Sequence, residues 1–158
     1  MNPILLTKAM KASISEVLET MFFMVIDVVS ESEKKESVPD SSHAIGVVLD
    51  FGGPACGCFR LMVPSILAHE STADFLGIDI DALARDDVCG TLMEMVNMLA
   101  GNTLSHYDAD LVFDLSVPRM IDEEAGDRSP SGQAGYCSLD IQTLANRMSL
   151  VVNYEDKV

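Results

Sequence analysis

The amino-acid sequence predicts an α+β fold with three main helices and about six strands, most of them antiparallel. Two segments have apolar positions at the 3.6-residue spacing of amphipathic helices. Each is followed by strand-like runs, and the short turns between neighbouring runs favour antiparallel pairing. Because the same order of elements occurs twice, we predict a single domain over residues 1–158 with an internal pseudo-two-fold repeat. The half-repeats fall at about 1–76 and 77–158.

The first half begins with a helix predicted over residues 2–23. One stripe of this helix carries Ile14, Leu18, Met21 and Val25, and the opposite stripe carries Ala12, Glu16, Glu19 and Phe23. A short strand at 25–28 and a polar loop at 30–42 follow. Two strands at 44–51 and 56–63 then form a hairpin around Gly52-Gly53-Pro54. A helix at 64–76, with a proline at a permitted first position, joins the halves.

The second half repeats this order after a second helix, which Cys89 opens. A shift of 78 residues superposes the two helices in the pairs Ile14/Leu92, Glu16/Glu94, Leu18/Val96, Glu19/Asn97, Met21/Leu99 and Phe23/Gly101. A strand at 112–115 and a polar loop at 118–134 come next. Two strands at 135–141 and 146–154 complete the half. The second half is therefore predicted to be a copy of the first.

Composition and charge exclude several classes of partner. A chain of 158 residues that is 48% hydrophobic can form one packed core. Its formal net charge of −15 would repel phosphate backbones and anionic lipid, so we expect neither nucleic acid nor membrane as a partner. The apolar run at 21–26 ends at Asp27, is too short to span a bilayer, and is not part of a secretion signal. We therefore expect a cytoplasmic protein whose partner has a basic rim.

Cofactor and metal sites are not predicted. The four cysteines, Cys56, Cys58, Cys89 and Cys137, are expected to be reduced, partly buried thiols. The three histidines, His43, His69 and His106, lie in unrelated segments. The segment from Gly52 to Gly57 lacks the Lys-Ser/Thr of a phosphate-binding loop. The paired acidic residues are typical of helix starts, turns and solvated loops: Asp79 and Asp81, Asp86 and Asp87, Asp108 and Asp110, and Asp122 with Glu123 and Glu124.

The second helix carries a polar stripe on an otherwise apolar sequence, Glu94-Met-Val-Asn97-Met-Leu-Ala-Gly101-Asn102. At 100° per residue, Glu94, Asn97 and Gly101 fall within about 60° of one another, on the side opposite the apolar positions. Such a stripe is often only the solvent-exposed face of an amphipathic helix. Here Asn and Gly are poor helix formers, each costing roughly 0.5 to 1 kcal/mol relative to Ala, so another requirement for them is indicated. The stripe is predicted to present chemistry to another molecule.

This motif, followed by a strand that ends in Leu115-Ser-Val-Pro118, resembles the CheC/CheX/FliY family of chemotaxis phosphatases. The duplicated layout, the size and the single intact motif are most similar to CheX. The resemblance implies a hydrolase that removes phosphate from the phospho-aspartate of a CheY-type receiver, with Mg²⁺ bound to the receiver and no cofactor on this chain. It implies that Asn97 orients the attacking water and that Glu94 engages a lysine of the receiver.

The resemblance also implies a docking surface around the catalytic pair, formed by Met93, Met98, Gly101 and Asn102, and it favours a homodimer. The first copy of the motif has Glu19 in place of Asn and Phe23 in place of Gly, so we expect that copy to be inactive. Gly90 stands where the family pattern often has Asp or Ser, and Asp86 or Asp87 are possible substitutes as helix caps.

Two other functions are compatible with the sequence. A non-catalytic receiver-binding or flagellar-switch interaction module would keep the fold without hydrolysis. A small-ligand sensor, with the acidic loops as lids, has no supporting group of residues. The intact pair of Glu94 and Asn97 favours the phosphatase.

Overall fold

The computed structural model describes residues 1–31, 43–121 and 135–156. These ranges contain three α-helices, α1 (Pro3–Ile14), α2 (Ser65–Leu76) and α3 (Arg85–Tyr107). They also contain seven strands: β1 (Ile26–Glu31), β2 (Ala44–Gly52), β3 (Ala55–Pro64), β4 (Asp114–Leu115), β5 (Arg119–Met120), β6 (Gly135–Thr143) and β7 (Arg147–Asp156). The predicted α+β class is confirmed. There is one strand more than expected, because the strand predicted at 112–115 is shorter and is followed by β5.

All seven strands belong to one antiparallel sheet, with the order β1-β6-β7-β3-β2-β4 and β5 also paired to β2. The two hairpins, β2–β3 and β6–β7, meet at the β3–β7 pair in the middle. The outer strand of each half pairs with the hairpin of the other half, since β1 lies against β6 and β4 lies against β2. This exchange has the pseudo-two-fold symmetry that the repeat predicted; the boundaries of the half-repeats stay a prediction.

The core lies between one face of the sheet and the helices. The helices α1 and α3 pack against each other and α3 packs on β2, β3 and α2. Fully buried side chains come from both layers, including Leu6, Met10 and Ile14 of α1, Leu92, Met95 and Leu99 of α3, and Leu49, Phe59, Leu61, Leu139 and Leu150 of the sheet. Burial of apolar area on this scale is the main favourable term in folding. It also fixes the rotation of α3 about its own axis.

The first helix differs from the prediction near its end. Ile14 and Leu18 are buried as expected, but Met21 is 41% exposed and Val25 is 62% exposed. A π-helical turn at Ser15–Glu19, which takes about one residue more per turn than an α-helix, rotates Met21 outward, and Val25 lies beyond the end of the helix, just before β1. Phe22 is fully buried where Met21 was expected.

The predicted polar loops are only partly described. Residues 30 and 31 extend β1, and Arg119–Met120 forms β5. The remaining residues of these loops, 32–42 and 122–134, lie outside the described parts of the chain, and so does the acidic run Asp122, Glu123 and Glu124. Within the described parts, no helix combines the length and the apolar character that crossing a bilayer requires.

Candidate functional site

The helix α3 carries the motif and has a defined start. Its first residue follows Ala84, whose backbone N–H donates to Oδ2 of Asp87 at 2.8 Å. Asp86 and Asp87 both lie in the first turn, where negative charge is favourable next to the helix dipole. The prediction that one of these aspartates acts as a cap is confirmed for Asp87. Gly90 lies inside α3, which runs without a break past this position, so the glycine there leaves the helix intact.

The polar stripe faces away from the core, as the periodicity predicted. Leu92, Val96 and Leu99 are fully buried on one side of α3. On the other side Glu94 is exposed and Asn97 is half-buried. Neither side chain makes a hydrogen bond or an ion pair with any residue that the structure describes. A carboxylate and a carboxamide one turn apart are therefore free to bind groups on another molecule.

The four methionine and alanine neighbours of the pair divide into two groups. Met95 and Ala100 are fully buried in the core. Met93 and Met98, which the sequence assigned to the docking surface, are half-buried and pack against the core from the side. Their remaining exposed atoms border the stripe. A partner would thus meet an apolar margin around two polar side chains.

Gly101 is not required by the packing of this chain. A Cβ at this position would meet one atom of another element, Cδ1 of Leu115 at 3.8 Å, which is an ordinary contact. Since glycine inside a helix costs about 0.5 to 1 kcal/mol relative to alanine, the chain retains it at the expense of stability. That this glycine leaves room for an approaching surface stays a prediction.

We predict that Gly101→Ala raises the free energy of unfolding by about 0.5 to 1 kcal/mol, because helix propensity improves and no clash arises. Chemical denaturation followed by circular dichroism measures this change. Gly57→Ala is the contrasting control, since its Cβ would clash with the backbone oxygen of Asn153 and must destabilise the sheet. Destabilisation by Gly101→Ala would show that this glycine has a packing role.

Asn102 lies at the side of the stripe and its side chain is engaged within the protein. Its Nδ2 donates to Oε2 of Glu16 at 3.1 Å, across the gap between the two motif-bearing segments. His106 Nε2 lies 3.0 Å from the same oxygen. The Oδ1 atom of Asn102 is buried without a hydrogen-bond partner among the described residues. Asn102 therefore holds two helical segments together, and its contact with a receiver stays a prediction.

Reasoning from the sequence missed this cluster of Glu16, Asn102 and His106. The spacing of Asn102 and His106 places both on one side of a helix, which is a signal that the sequence does contain. What the sequence could not supply is the neighbour, because helix periodicity says nothing about which helices touch. The sequence places His106 in an unrelated segment. In the structure it contacts Glu16, which is the counterpart of Glu94 in the degenerate copy.

Hydrogen bonds from His106 and Asn102 lower the pKa of Glu16 below its ordinary value of 4.5, with His106 as the larger cause. A carboxylate with a depressed pKa stabilises the folded state above its unfolded pKa, and this contribution is lost as the pH falls from 4.5 through the folded pKa. We predict that His106→Ala raises the pKa of Glu16 toward 4.5 and that Asn102→Ala raises it less. NMR titration of the Glu16 carboxyl carbon checks both. Unchanged titration in both variants would contradict the contacts.

The degenerate copy of the motif lacks the arrangement of the intact one. Glu16 accepts hydrogen bonds from Asn102 and His106. Glu19, at the position equivalent to Asn97, accepts a hydrogen bond from Oγ of Ser15 at 2.6 Å. Phe23 has left the helix, with φ at 55°, and its ring is 65% exposed. At the positions of Asn97 and Gly101, the first copy therefore has neither a carboxamide nor a glycine. These contacts support the expectation that only the second copy works.

The thiols and carboxylates do not form a second site. All four cysteines are free, and Cys56, Cys58 and Cys137 lie on strands as predicted, whereas Cys89, which was expected to open α3, lies four residues after its start at Arg85. Burial raises the pKa of the Cys137 thiol, which keeps it protonated. In the described ranges, no three His, Cys, Asp or Glu side chains lie close enough to hold a metal ion. That the protein needs no metal of its own stays a prediction.

The fold and the site define a CheC-like α+β protein, with exchanged half-repeats and one free Glu-Asn pair on its longest helix. The family model described as "Chemotaxis phosphatase CheX" matches residues 45–142, which is more than half of the chain, and the chain belongs to this family. The match includes α3 and the whole motif. No curated protein matches the chain in sequence.

Solved structures share the fold at low sequence identity. CheX in the CheX-CheY-BeF3-Mg²⁺ complex from Borrelia burgdorferi is 16% identical, with a TM-score of 0.76, over 98% of this chain and 99% of that chain. A CheC-like superfamily protein from Shewanella sp. PV-4 is also 16% identical, with a TM-score of 0.75 over 98% and 99% of the two chains. FliY of Thermotoga maritima is 13% identical, with a TM-score of 0.61 over 98% and 87%.

Proposed function

We propose that this protein hydrolyses the aspartyl phosphate of a CheY-type response regulator in chemotaxis signalling. The observation that carries the proposal is the pair of Glu94 and Asn97, which lie outward on α3 with no partner among the described residues. Membership in the CheX family supports the same reaction. The CheX structure from Borrelia burgdorferi, which holds CheY with BeF3 and Mg²⁺, supports the same class of partner.

The chemistry needs positioning more than a strong base. An acyl phosphate is already activated, so the catalyst must place a water in line with phosphorus while charge spreads over the phosphoryl oxygens. The carboxamide of Asn97 suits this task because its oxygen accepts from water, its nitrogen donates, and it does not titrate. The divalent ion would come with the receiver, and this chain would supply no cofactor.

Glu94 would recognise the receiver through a charge-assisted hydrogen bond to a lysine. Its carboxylate is exposed before docking and would lose water in the complex, where such bonds become stronger. The net charge of −15 favours a receiver surface with a basic rim. Met93, Met98 and Gly101 would complete the contact, with Gly101 allowing the two backbones to approach closely.

The test follows the decay of a phosphorylated CheY-type receiver with and without the wild-type protein. We expect the phosphate to be lost faster when the protein is present, in proportion to its concentration. Equal decay rates together with tight binding would support the alternative, a non-catalytic receiver-binding or flagellar-switch module. Equal rates without binding would reject both functions.

Two further properties stay predictions. The homodimer rests on the family resemblance and on strands that the sequence predicted to be apolar on both faces; Ser149 and Val151 of β7 are already buried within one chain, so their burial does not require a second copy. Sedimentation at micromolar concentration would reveal a monomer if the prediction is wrong. The cytoplasmic location is expected from the composition, and fractionation of cells that express the full chain tests it.

A further inference from the structure

A bulge interrupts the sheet edge beside the polar stripe. The strand β4 pairs Leu115 with Phe51, and β5 pairs Arg119 with Val48. Between these pairs β2 advances three residues, from 48 to 51, while the edge advances four, from 115 to 119. The extra residue makes a β-bulge, a feature that redirects side chains and is common next to functional sites.

The bulge is fixed on both sides. The backbone N–H of Ser116 donates to the oxygen of Asp50 at 2.8 Å, and the N–H of Asp50 donates to Oγ of Ser116 at 2.9 Å. The guanidinium of Arg119 pairs with the carboxylate of the same Asp50. Pro118 adds a fixed φ angle within the bulge. The residue between these fixed points, Val117, therefore has a constrained backbone.

Val117 is nevertheless the most exposed large apolar residue among those that the structure describes, at 86%. A single exposed valine is ordinary on a protein surface. This one combines exposure with a restrained backbone and a β-branched side chain that has few rotamers, so little entropy is lost when a partner covers it. Such a side chain is suited to an apolar contact.

The bulge is continuous with the proposed docking surface. Leu115 is the residue that a Cβ on Gly101 would touch, at 3.8 Å. Two residues span at most about 7 Å, so the backbone of Val117 lies no farther than this from that of Leu115. A receiver that rests on Glu94, Asn97 and Gly101 would therefore extend to the bulge.

We propose that Val117 is a specificity-determining contact for the receiver, and that it fits an apolar position beside the lysine that Glu94 engages. The inference rests on the proposed function for the identity of the partner. It adds a second, apolar point of attachment to the polar stripe. Two separated points of attachment would fix the rotation of the receiver about α3. A fixed rotation is required to hold the attacking water in line with phosphorus.

The test measures binding to a CheY-type receiver charged with BeF3 and Mg²⁺, and separately the decay of the phosphorylated receiver. We expect Val117→Asp to weaken binding at least tenfold and Val117→Ile to bind like the wild type. The protein concentration needed for half of the maximal decay rate should rise in Val117→Asp. Both variants should unfold at the wild-type midpoint.

The matched control is Val28→Asp, which places the same charge on the outer strand of the other half. Val28 is 53% exposed and follows the bulge of β1 at Asp27. We expect its binding to equal that of the wild type. Equal binding by Val117→Asp and wild type, or equal losses in Val117→Asp and Val28→Asp, would overturn the inference and leave the proposed function standing. Binding without hydrolysis by the wild type would reject the phosphatase alone, since the binding series still decides the role of Val117.

Discussion

Asn97→Ala should slow dephosphorylation of the receiver by a factor on the order of 10² to 10⁴, while the receiver still binds. The expected loss is large because this side chain would supply the orientation of the attacking water, and orientation is most of what an acyl phosphate needs. Single-turnover decay of a phosphorylated CheY-type receiver at saturating protein measures the effect. Saturation matters, because it separates the rate of hydrolysis from the affinity.

The structure makes this substitution easy to interpret. Asn97 has no hydrogen-bond partner among the described residues, so its replacement leaves none of their hydrogen-bond donors or acceptors unsatisfied. Alanine is also the better helix former, and the variant should be at least as stable as the wild type. Binding to the receiver charged with BeF3 and Mg²⁺ is the control. A rate within threefold of the wild type would exclude Asn97 as the water-orienting group.

The sequence predicted the fold class and the polar stripe because both follow from periodicity. The positions of Leu92, Val96 and Leu99 determine which side of α3 is buried, and the outward direction of Glu94 and Asn97 follows from them. Gly101 falls on the same stripe by the same spacing. The repeat was visible because a helix, a strand and a hairpin recur in the same order.

Contacts between elements were not predictable in the same way. Asn102 was assigned to the docking surface, and in the structure its Nδ2 is bound to Glu16. Met21 was assigned to the core, and a π-helical turn rotates it into solvent. The bulge at Val117 depends on the register between β2 and two short strands, which no pattern in residues 114–120 reveals. Local spacing determines which face of an element is buried, whereas register and helix pairing depend on the whole packed structure.

The exchange of outer strands makes each half of the chain depend on the other for one edge of its sheet. Because β4 of the second half completes the sheet of the first half, the edge next to α3 is held by β2 instead of by its own hairpin. Glu16, retained in the degenerate copy, has a structural contact instead, since it binds Asn102 and His106 of α3.

Glu94→Gln should weaken binding of the receiver by about 10- to 150-fold, which corresponds to the roughly 1.5 to 3 kcal/mol of a desolvated charge-assisted hydrogen bond. If the contact with the lysine stayed in water, the effect would be only about fivefold or less, as for exposed ion pairs. The size of the loss therefore reports whether docking excludes water from this carboxylate. Isothermal titration with the BeF3-charged receiver measures it directly.

Glu70→Gln is the matched control for this substitution. Glu70 is an exposed glutamate on α2, and its replacement makes the formal net charge of −15 less negative by the same single unit. Long-range attraction to a basic receiver changes equally in both variants, so a difference between them comes from the local contact. Raising the salt concentration should reduce the shared part and leave most of the difference, because a buried pair is screened little. If the two variants bind alike at every salt concentration, Glu94 contributes only to the overall charge, and recognition of the receiver must come from the apolar residues around it.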